Sequence, residues 1–525
     1  MDLRFLNFQK FTDLIFAMKL NEFSQVSLRK TVFWPPLLIL VLAVSVSMLI
    51  PEEFDSMMKA IQSWVLINFS MAFSWVSFFL VLVLIWVFVS PLGGYRIGGK
   101  DARPRLKWIP WFAIVLCTTI AVGILFWGSA EPLSHFLFPP SFRNISPATT
   151  EAKEFALGAL FFHWGVTPYA IYAVPALLFA LLFHRKKQAF KLSIMLHPVF
   201  GTKISKSISE IIDMICLFAM VSGMAGALGA GILSLSGGLK ALIPSLNGSF
   251  VTLLVASLIV GTFVLSASSG IDKGIKSFSL FNLFFFLLFA GLFVLLSESF
   301  FLKNIGIGFR SYVSQFLDLS MQLTGKGNSW TYDWSVFNFA MWMAWAPMTG
   351  LFLAKIAIGR IVREFLLVNC LLPALFCLIW MGIFGGSTLD FASLHPDTYT
   401  DSFVNSGPES IIYLVFQDIG SSQLLTSLFL IGMFVSYVTA ADSSTEAIAS
   451  LSLRTKLIDS FQTPAPIKII WGILIGILAW IMISFSGIDG VRILSVIGGL
   501  PVLIFLLVIG IGLLVVSFNP KKHLF

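Results

Sequence analysis

Long apolar stretches, each about as long as a bilayer is thick, recur along this 525-residue chain. An α-helix needs about 20 residues to cross a hydrocarbon core of about 30 Å. Backbone groups in lipid must pair inside the protein, so such stretches predict helices. We therefore expect an all-α integral membrane protein with twelve transmembrane helices. The predicted spans are residues 32–50, 71–91, 110–130, 156–183, 209–236, 249–268, 279–301, 334–355, 366–385, 423–441, 467–487 and 494–517.

The charges fix the predicted orientation of these spans. Only 11% of the residues are charged, whereas soluble domains have about 25%. With the N-terminus inside, 26 of the 34 Lys and Arg residues fall on cytoplasmic segments and 8 on outer ones. This bias predicts a multi-pass protein of the plasma (inner) membrane with both termini cytoplasmic. The net charge of +8 is then explained by topology beside a lipid bilayer, and no nucleic-acid partner is expected.

Enzyme chemistry is not indicated by any motif. The four cysteines, Cys117, Cys216, Cys370 and Cys377, all fall inside apolar segments, where thiols are ordinarily buried. The sequence has no nucleotide-binding loop and no group of His, Asp and Glu at ligand spacing near a membrane face. We therefore expect neither an enzyme nor a protein with a bound cofactor.

Two predicted spans contain helix-weakening residues at mid-depth. Residues 110–130 include Thr118, Thr119 and Gly123, and residues 334–355 include Pro347 and Gly350. Proline removes a helix hydrogen bond and glycine lowers helix stability. Each of these spans begins a run of five, and interrupted helices at matching places in two halves are typical of transporters with inverted repeats. Gly and Pro are also common in membrane helices generally, so either interruption alone is weak support.

The predicted organisation is a single membrane domain in four parts. Residues 32–91 form two peripheral helices, 110–301 the first inverted repeat, and 334–517 the second. Residues 302–333 have a helical period with one polar face, which predicts an amphipathic segment on the outer surface.

Several motifs resemble one transporter family. The sequence WMAWAPMTGLFLAKIAIGRIVREF, ending at Phe365, closely resembles the signature of the betaine–choline–carnitine transporter family. FWGSAEPL (126–133), FHWGVTPYAIY (162–172), SGIDKGIKSFS (269–279) and VTAADS (438–443) follow the family order. The resemblance implies the leucine-transporter-like fold of five plus five helices, homotrimers, and secondary active transport of a trimethylammonium solute such as glycine betaine, choline or carnitine by alternating access.

The resemblance also implies a solute site. By matching positions, an aromatic cage is formed by Trp164, Tyr169 and Tyr172 from the fourth span and by Trp342 and Trp345 from the eighth. A quaternary ammonium has no N–H to donate, and ring faces attract it most strongly when water is excluded. On one continuous helix, the three fourth-span residues share an arc of roughly 140°. Ordinary packing of large rings, or an interfacial aromatic belt, is the alternative for each ring.

A glycine and three ionisable residues complete the site prediction. Gly123 is what remains of the family's glycine-rich run in the third span, so it is expected to line the pocket. His163 is predicted to pack against a neighbouring helix and not to bind a metal, because no second His lies at ligand spacing. Glu131 is expected at an outer helix end in reach of water, and Asp213 near the inner end of the fifth span is expected to be structural.

The residues expected at sodium sites are altered. Sodium is bound by several oxygen ligands. At the positions that match the sodium ligands of sodium-coupled family members, this chain has Met220 and Met224 on the fifth span and Ala440 on the tenth. Thr439 is a remnant of the second site, and Leu283 occupies the place of the arginine found in exchangers. We therefore predict proton coupling or exchange. A transporter of another small amino-acid-like solute on the same scaffold is the alternative function.

Overall fold

The computed structural model describes residues 28–524 apart from 121–122, 187–189, 202–203, 247–248, 270–273, 298–300 and 455–462. Helices make up nearly all of this part. Its extended pairing is limited to two isolated bridges, Leu28 with Leu453 and Arg96 with Ile361. An all-α architecture is therefore confirmed for the described residues.

The principal helices are labelled in chain order. The first nine are α1 (Lys30–Leu49), α2 (Pro51–Val89), α3 (Trp108–Ile120), α4 (Gly123–Leu137), α5 (Thr150–Trp164), α6 (Val166–Lys186), α7 (Lys206–Leu242), α8 (Ser249–Ser269) and α9 (Gly274–Ser297). The others are α10 (Phe301–Met321), α11 (Phe337–Ile356), α12 (Leu372–Leu394), α13 (Ile411–Asp418), α14 (Ser422–Leu451) and α15 (Ala465–Phe518).

Shorter helical turns join these helices. Single α turns are His197–Phe200, Val362–Leu366, Pro396–Asp401 and Pro520–Leu524. The 3₁₀ turns are Pro91–Gly94, Ser141–Arg143, Leu192–Leu196 and Pro408–Ser410. The π turns are Thr331–Val336, Leu367–Leu371 and Ser402–Ser406, and the first of these runs directly into α11.

Membrane-spanning length is the common property of the large helices. Within the described residues, nine helices are long and apolar enough to cross a bilayer, or ten if the pair α3–α4 counts as one span. In the most apolar 18-residue stretch of the α5–α6 segment 94% of the residues are buried, whereas in that of α1 only 28% are. The fourth predicted span therefore lies in the centre of the bundle, and α1 lies at its edge.

The break predicted in the third span is present. The axes of α3 and α4 differ by 54° across residues 120–122. Thr118 and Thr119 lie in the last turn of α3, where their hydroxyls donate to the carbonyls of Ile114 and Val115. Such back-bonding weakens a helix end and favours a bend there.

The break predicted in the eighth span is wrong. Helix α11 runs without interruption through Pro347 and Gly350. Neighbouring helices can compensate for the hydrogen bond that a proline removes in a membrane helix. Here Pro347 is buried, with α6, α7 and α15 all packed against α11, so tertiary contacts hold the helix together.

The fourth span, predicted as one helix over 156–183, is instead two. Helix α5 ends at Trp164 and α6 begins at Val166, because Gly165 between them has a non-helical backbone conformation. A Cβ on Gly165 would lie 2.6 Å from the carbonyl oxygen of Phe161, so the close approach requires glycine. This junction falls inside the FHWGVTPYAIY motif.

Two other boundaries differ from prediction. Helix α2 has 39 residues and includes positions 51–70, which the hydropathy pattern had left outside the second span. Pro51 at its first position and the acidic Glu52 and Glu53 in its first turn favour a helix start there. Helix α15 covers both of the last two predicted spans, and its 54 residues are interrupted at Gly487, where φ is 54°.

The segment directly after α11, which includes Gly359 and Arg360, is bonded to the loop between α2 and α3. The backbone N–H of Ile97 donates to the carbonyl of Arg360, and the N–H of Gly359 donates to the carbonyl of Ile97. The Arg360 guanidinium lies 4.4 Å from the centre of the Trp111 ring and donates to the Leu106 carbonyl at 2.6 Å. These contacts tie the end of α11 to the loop between α2 and α3.

Candidate functional site

A cavity of about 60 Å³ lies at the junction of α3 and α4. Its walls come from α3, α4, α5, α6, α7, α11, α14 and α15, and none of the described residues that line it is charged. Among the predicted site residues, the lining includes Gly123, Trp164, Tyr172, Trp342 and Trp345. The helix break therefore opens onto a largely aromatic and apolar wall.

Trp342 lies at the centre of the aromatic cluster. Its ring centre is 5.8 Å from that of Trp164, 5.3 Å from that of Tyr169 and 4.7 Å from that of Tyr172. It is 2% exposed, and its indole N–H has no hydrogen-bond partner in the described structure. The fourth-span rings and the eighth-span ring predicted from sequence therefore meet.

Tyr169 belongs to the cluster but does not line the cavity. It is fully buried, and its hydroxyl lies 2.9 Å from the sulfur of Cys377 on α12. The ring thus packs behind Trp342. The predicted arc of 140° assumed one continuous helix, but the turn at Gly165 lies between Trp164 and Tyr169, so the helical spacing does not apply across it.

Gly123 and Trp164 touch across the cavity wall. A Cβ on Gly123 would lie 2.3 Å from the indole atom Cη2 of Trp164, so only glycine leaves room for this ring. On its other side the Trp164 indole N–H donates to Glu131 Oε2 at 2.9 Å. Helix α4 therefore holds Trp164 at two points, by steric contact and by a hydrogen bond.

Trp345 is half-buried at another part of the wall. Its indole N–H donates to the carbonyl of Gly223 on α7 at 3.0 Å. A Cβ on Gly223 would lie 3.1 Å from the Trp345 ring, so the two helices approach closely there. This fixes the orientation of the ring at the contact of α7 with α11.

The residues at the expected sodium positions offer few oxygen ligands. Met220 and Met224 are buried in α7. The Thr439 hydroxyl donates to the Val435 carbonyl at 2.7 Å, within its own helix α14, and Thr439 does not line the cavity. Ala440, the next residue, presents a methyl group to the cavity instead.

A buried carboxylate and two histidines lie behind Trp164. Glu131 is 2% exposed, so the expectation that it reaches water is wrong; α4 continues beyond it to Leu137, and α5 and the turn before α11 cover it. His163 packs between neighbouring elements as predicted, with Nδ1 2.6 Å from Glu131 Oε1 and Nε2 2.9 Å from the Ser335 hydroxyl.

A second histidine lies near His163 in space, although none lies at ligand spacing from it along the chain. His135 is one turn after Glu131 on α4, and its ring centre lies 6.0 Å from that of His163. The sequence spacing of Glu131 and His135, four residues on one helix, was an available signal for this pair. What spacing along the chain cannot reveal is that α5 brings His163 to the same place.

Two further predictions concern buried groups away from the cavity. Asp213 is structural: its carboxylate lies 2.5 Å from the Arg29 guanidinium and accepts the backbone N–H of Ser193. The four cysteines are buried and free. Trp127, which was not predicted, also lines the cavity and was recognisable as part of the FWGSAEPL motif. Met341, which by resemblance occupies a cage position beside Trp342, lines it too.

Comparison with known proteins gives a consistent picture. Residues 31–522 match a family model described as the betaine/carnitine/choline family of transporters. An ectoine/hydroxyectoine transporter of Virgibacillus pantothenticus is 30% identical over 487 residues, covering 92% of this chain and 95% of the relative. The glycine betaine transporter OpuD of Bacillus subtilis (strain 168) is 29% identical, covering 91% and 92%. The high-affinity choline transport protein of Escherichia coli (strain K12) is 27% identical, covering 88% and 68%.

Proposed function

The chain belongs to the betaine/carnitine/choline family of transporters, and from that premise we propose that it is a secondary active transporter of a quaternary (trimethyl)ammonium solute such as glycine betaine, choline or carnitine. The observation that carries this proposal is the uncharged cavity walled by Trp127, Trp164, Tyr172, Trp342 and Trp345. A buried ring face contributes about 2 kcal/mol to binding such a cation. An isolated carboxylate is not needed in the wall.

Alternating access is supported by the shape of the helices around the cavity. The bend between α3 and α4 places the cavity at a point where backbone geometry can change, and Gly487 divides α15 in a similar way. We propose twelve spans, with α3–α4 and α5–α6 each counted as one and α15 as two. The two inverted repeats, the homotrimer and the cytoplasmic location of both termini remain predictions based on the family and the charges.

A zwitterion without a trimethylammonium group is the second candidate. It is favoured by the 30% identity to an ectoine/hydroxyectoine transporter, because ectoine carries its positive charge on a planar amidinium. A planar cation can also lie against ring faces. The same cavity would then bind a small amino-acid-like solute.

Proton coupling or solute exchange is proposed in place of sodium coupling. Supporting this are Met220 and Met224, whose thioethers are poor ligands for a hard cation, and the methyl group of Ala440. The one side-chain oxygen predicted for a sodium site, that of Thr439, does not line the cavity. Backbone carbonyls at the break between α3 and α4 are the remaining oxygens that the sequence offered.

The test is transport of labelled glycine betaine, choline, carnitine and ectoine into proteoliposomes, with and without a sodium gradient. We expect wild-type protein to transport at least one of them at a rate that ignores sodium. Trp342→Ala should lower the apparent affinity about 30-fold if about 2 kcal/mol of ring contact is lost. Trp75→Ala is the matched control, since Trp75 is 52% exposed on α2.

Each outcome separates the alternatives. Preference for ectoine over the three trimethylammonium solutes would select the second candidate. Transport that requires sodium would refute the coupling proposal and leave the transporter itself intact. Failure of all four solutes in exchange and in net uptake would refute the proposed substrate class.

A further inference from the structure

Glu131, His135 and His163, here called the Glu131 cluster, are buried together within the membrane bundle. Glu131 Oε1 lies 2.6 Å from His163 Nδ1 and 3.5 Å from His135 Nε2. Both histidines are fully buried. Since His135 Nδ1 accepts the indole N–H of Trp330 at 3.1 Å, a neutral His135 carries its proton on Nε2, directed at the carboxylate.

The cluster is connected to the cavity by one side chain. The second carboxylate oxygen of Glu131 accepts the indole N–H of Trp164, whose ring forms part of the cavity wall. The same ring rests on Gly123, the first residue of the helix that carries Glu131. Any change in the charge or position of the carboxylate therefore acts directly on a ring that faces the solute.

Other charged groups near the cluster are already arranged in pairs or lie beyond a ring. Arg492 on α15 pairs with Asp489 at 3.1 Å. Its guanidinium lies 5.2 Å from the centre of the Trp334 ring, and this ring packs against His135. Arg143 pairs with Asp318 on the far side of the Phe155 ring. Asp333, in the turn before α11, interacts electrostatically with Arg492 and Asp489.

The charge of the cluster favours the uptake of one proton. A carboxylate with two neutral imidazoles leaves one buried negative charge, and such a charge costs several kcal/mol unless it is compensated. One added proton, shared along the 2.6 Å contact of Glu131 and His163, makes the cluster neutral as a whole. The proton comes from the water on one side of the membrane and leaves to the other, so no further reactant is needed.

We propose that the Glu131 cluster is the binding site of the coupling proton and that it transmits its protonation to the solute site through Trp164. This inference rests on the proposed function, because it identifies the ion site of that same transporter. With one proton carried for each zwitterion, transport moves one positive charge. A gradient of about one pH unit then supports about tenfold accumulation of the solute.

The experiment uses full-length protein in proteoliposomes, as wild type, Glu131→Gln and His184→Gln. Glutamine keeps the shape of the side chain and an oxygen that accepts the Trp164 N–H, so the variant should fold. His184, which bonds the Ala354 carbonyl away from the cluster, is the matched histidine control. Each protein is assayed for counterflow of labelled glycine betaine and ectoine without a gradient, for accumulation driven by an inward proton gradient, and for solute-evoked acidification inside.

We expect wild type and His184→Gln to accumulate solute about tenfold per pH unit and to acidify the lumen. Glu131→Gln should still show counterflow, at an affinity weakened because the hydrogen bond to Trp164 is no longer made to a charged group, but it should reach no accumulation above equilibrium and no acidification, because an amide cannot bind the coupling proton. Proton-driven accumulation by Glu131→Gln equal to that of wild type would overturn the proposal.

Two further results would also count against it. The three ligand atoms of the cluster lie within 4.8 Å of one another, which is compatible with a divalent metal ion. Transport that EDTA abolishes and zinc restores, without any response to the pH gradient, would assign the cluster to a metal. Accumulation by wild type that a sodium gradient drives and a proton gradient does not would reject the proton site while keeping the transporter. Absence of counterflow for every solute would refute the proposed function and the proton site together.

Discussion

Replacing Gly123 by alanine should displace the Trp164 ring from the cavity wall. The added Cβ would lie 2.3 Å from Trp164 Cη2, whereas ordinary contact begins at 3.4 Å, so one of the two must move by about 1.1 Å. Trp164 is also tied to Glu131 by a hydrogen bond of 2.9 Å. A displacement of that size exceeds the range of about 2.7–3.2 Å over which such bonds form, so the bond cannot keep its geometry.

The size of the effect follows from the bond that is lost. A hydrogen bond to a charged group contributes about 1.5–3 kcal/mol, and here its loss leaves a buried carboxylate oxygen unpaired. At about 1.4 kcal/mol for each factor of ten, the apparent solute affinity of Gly123→Ala should fall about 10- to 150-fold. The assay is counterflow of labelled glycine betaine and ectoine at graded concentrations.

Two companion variants separate this mechanism from general damage. Gly291→Ala is the control, because a Cβ there meets nothing within 4 Å and alanine is the better helix former. Trp164→Phe removes the clashing atoms together with the indole N–H. Adding Gly123→Ala to Trp164→Phe should then cost little, and fully additive losses, or an unchanged affinity in Gly123→Ala alone, would refute the steric argument.

Four further variants test other contacts. Tyr169→Phe should change solute affinity by less than about threefold, because its hydroxyl faces Cys377 and not the cavity. Trp342→Ala should lower solute affinity and should also lower the free energy of unfolding by about 3–5 kcal/mol. Solute binding and thermal unfolding, measured on the same preparations, check both variants. Thr439→Ala should leave the response of solute uptake to sodium the same as in the wild type. If sodium stimulation appeared or disappeared in the variant, this hydroxyl would take part in ion binding. Arg29→Ala should lower the free energy of unfolding by about 3–5 kcal/mol by leaving Asp213 buried and unpaired, and the apolar pair Arg29→Met with Asp213→Leu should recover most of that loss in a thermal unfolding assay.

Residue-level prediction worked where the physical signal is local. The contact of Trp342 with Trp164 and Tyr172 was expected, because the motifs that contain these residues match the family position by position. The bend before Gly123 was expected because threonine hydroxyls and glycine weaken a helix at the place where they stand.

Prediction failed where one helix depends on another. Nothing in the neighbourhood of Pro347 along the chain reports that α6, α7 and α15 hold α11 together, so a break was expected that does not exist. The angular spacing of Trp164 and Tyr169 was taken from a continuous helix, but Gly165 turns the chain between them and directs Tyr169 towards Cys377.

Sequence alone determined that this protein is helical, lies in a membrane and belongs to a transporter family, because hydrophobic length, charge bias and motif order are properties of the chain taken piece by piece. Only the tertiary structure decided which side chains share a site. Glu131 and His163 are 32 residues apart and lie in different helices, yet their 2.6 Å contact joins a buried carboxylate to the wall of the cavity. Such a contact depends on how α4 and α5 pack in three dimensions, and no periodicity within either helix encodes it.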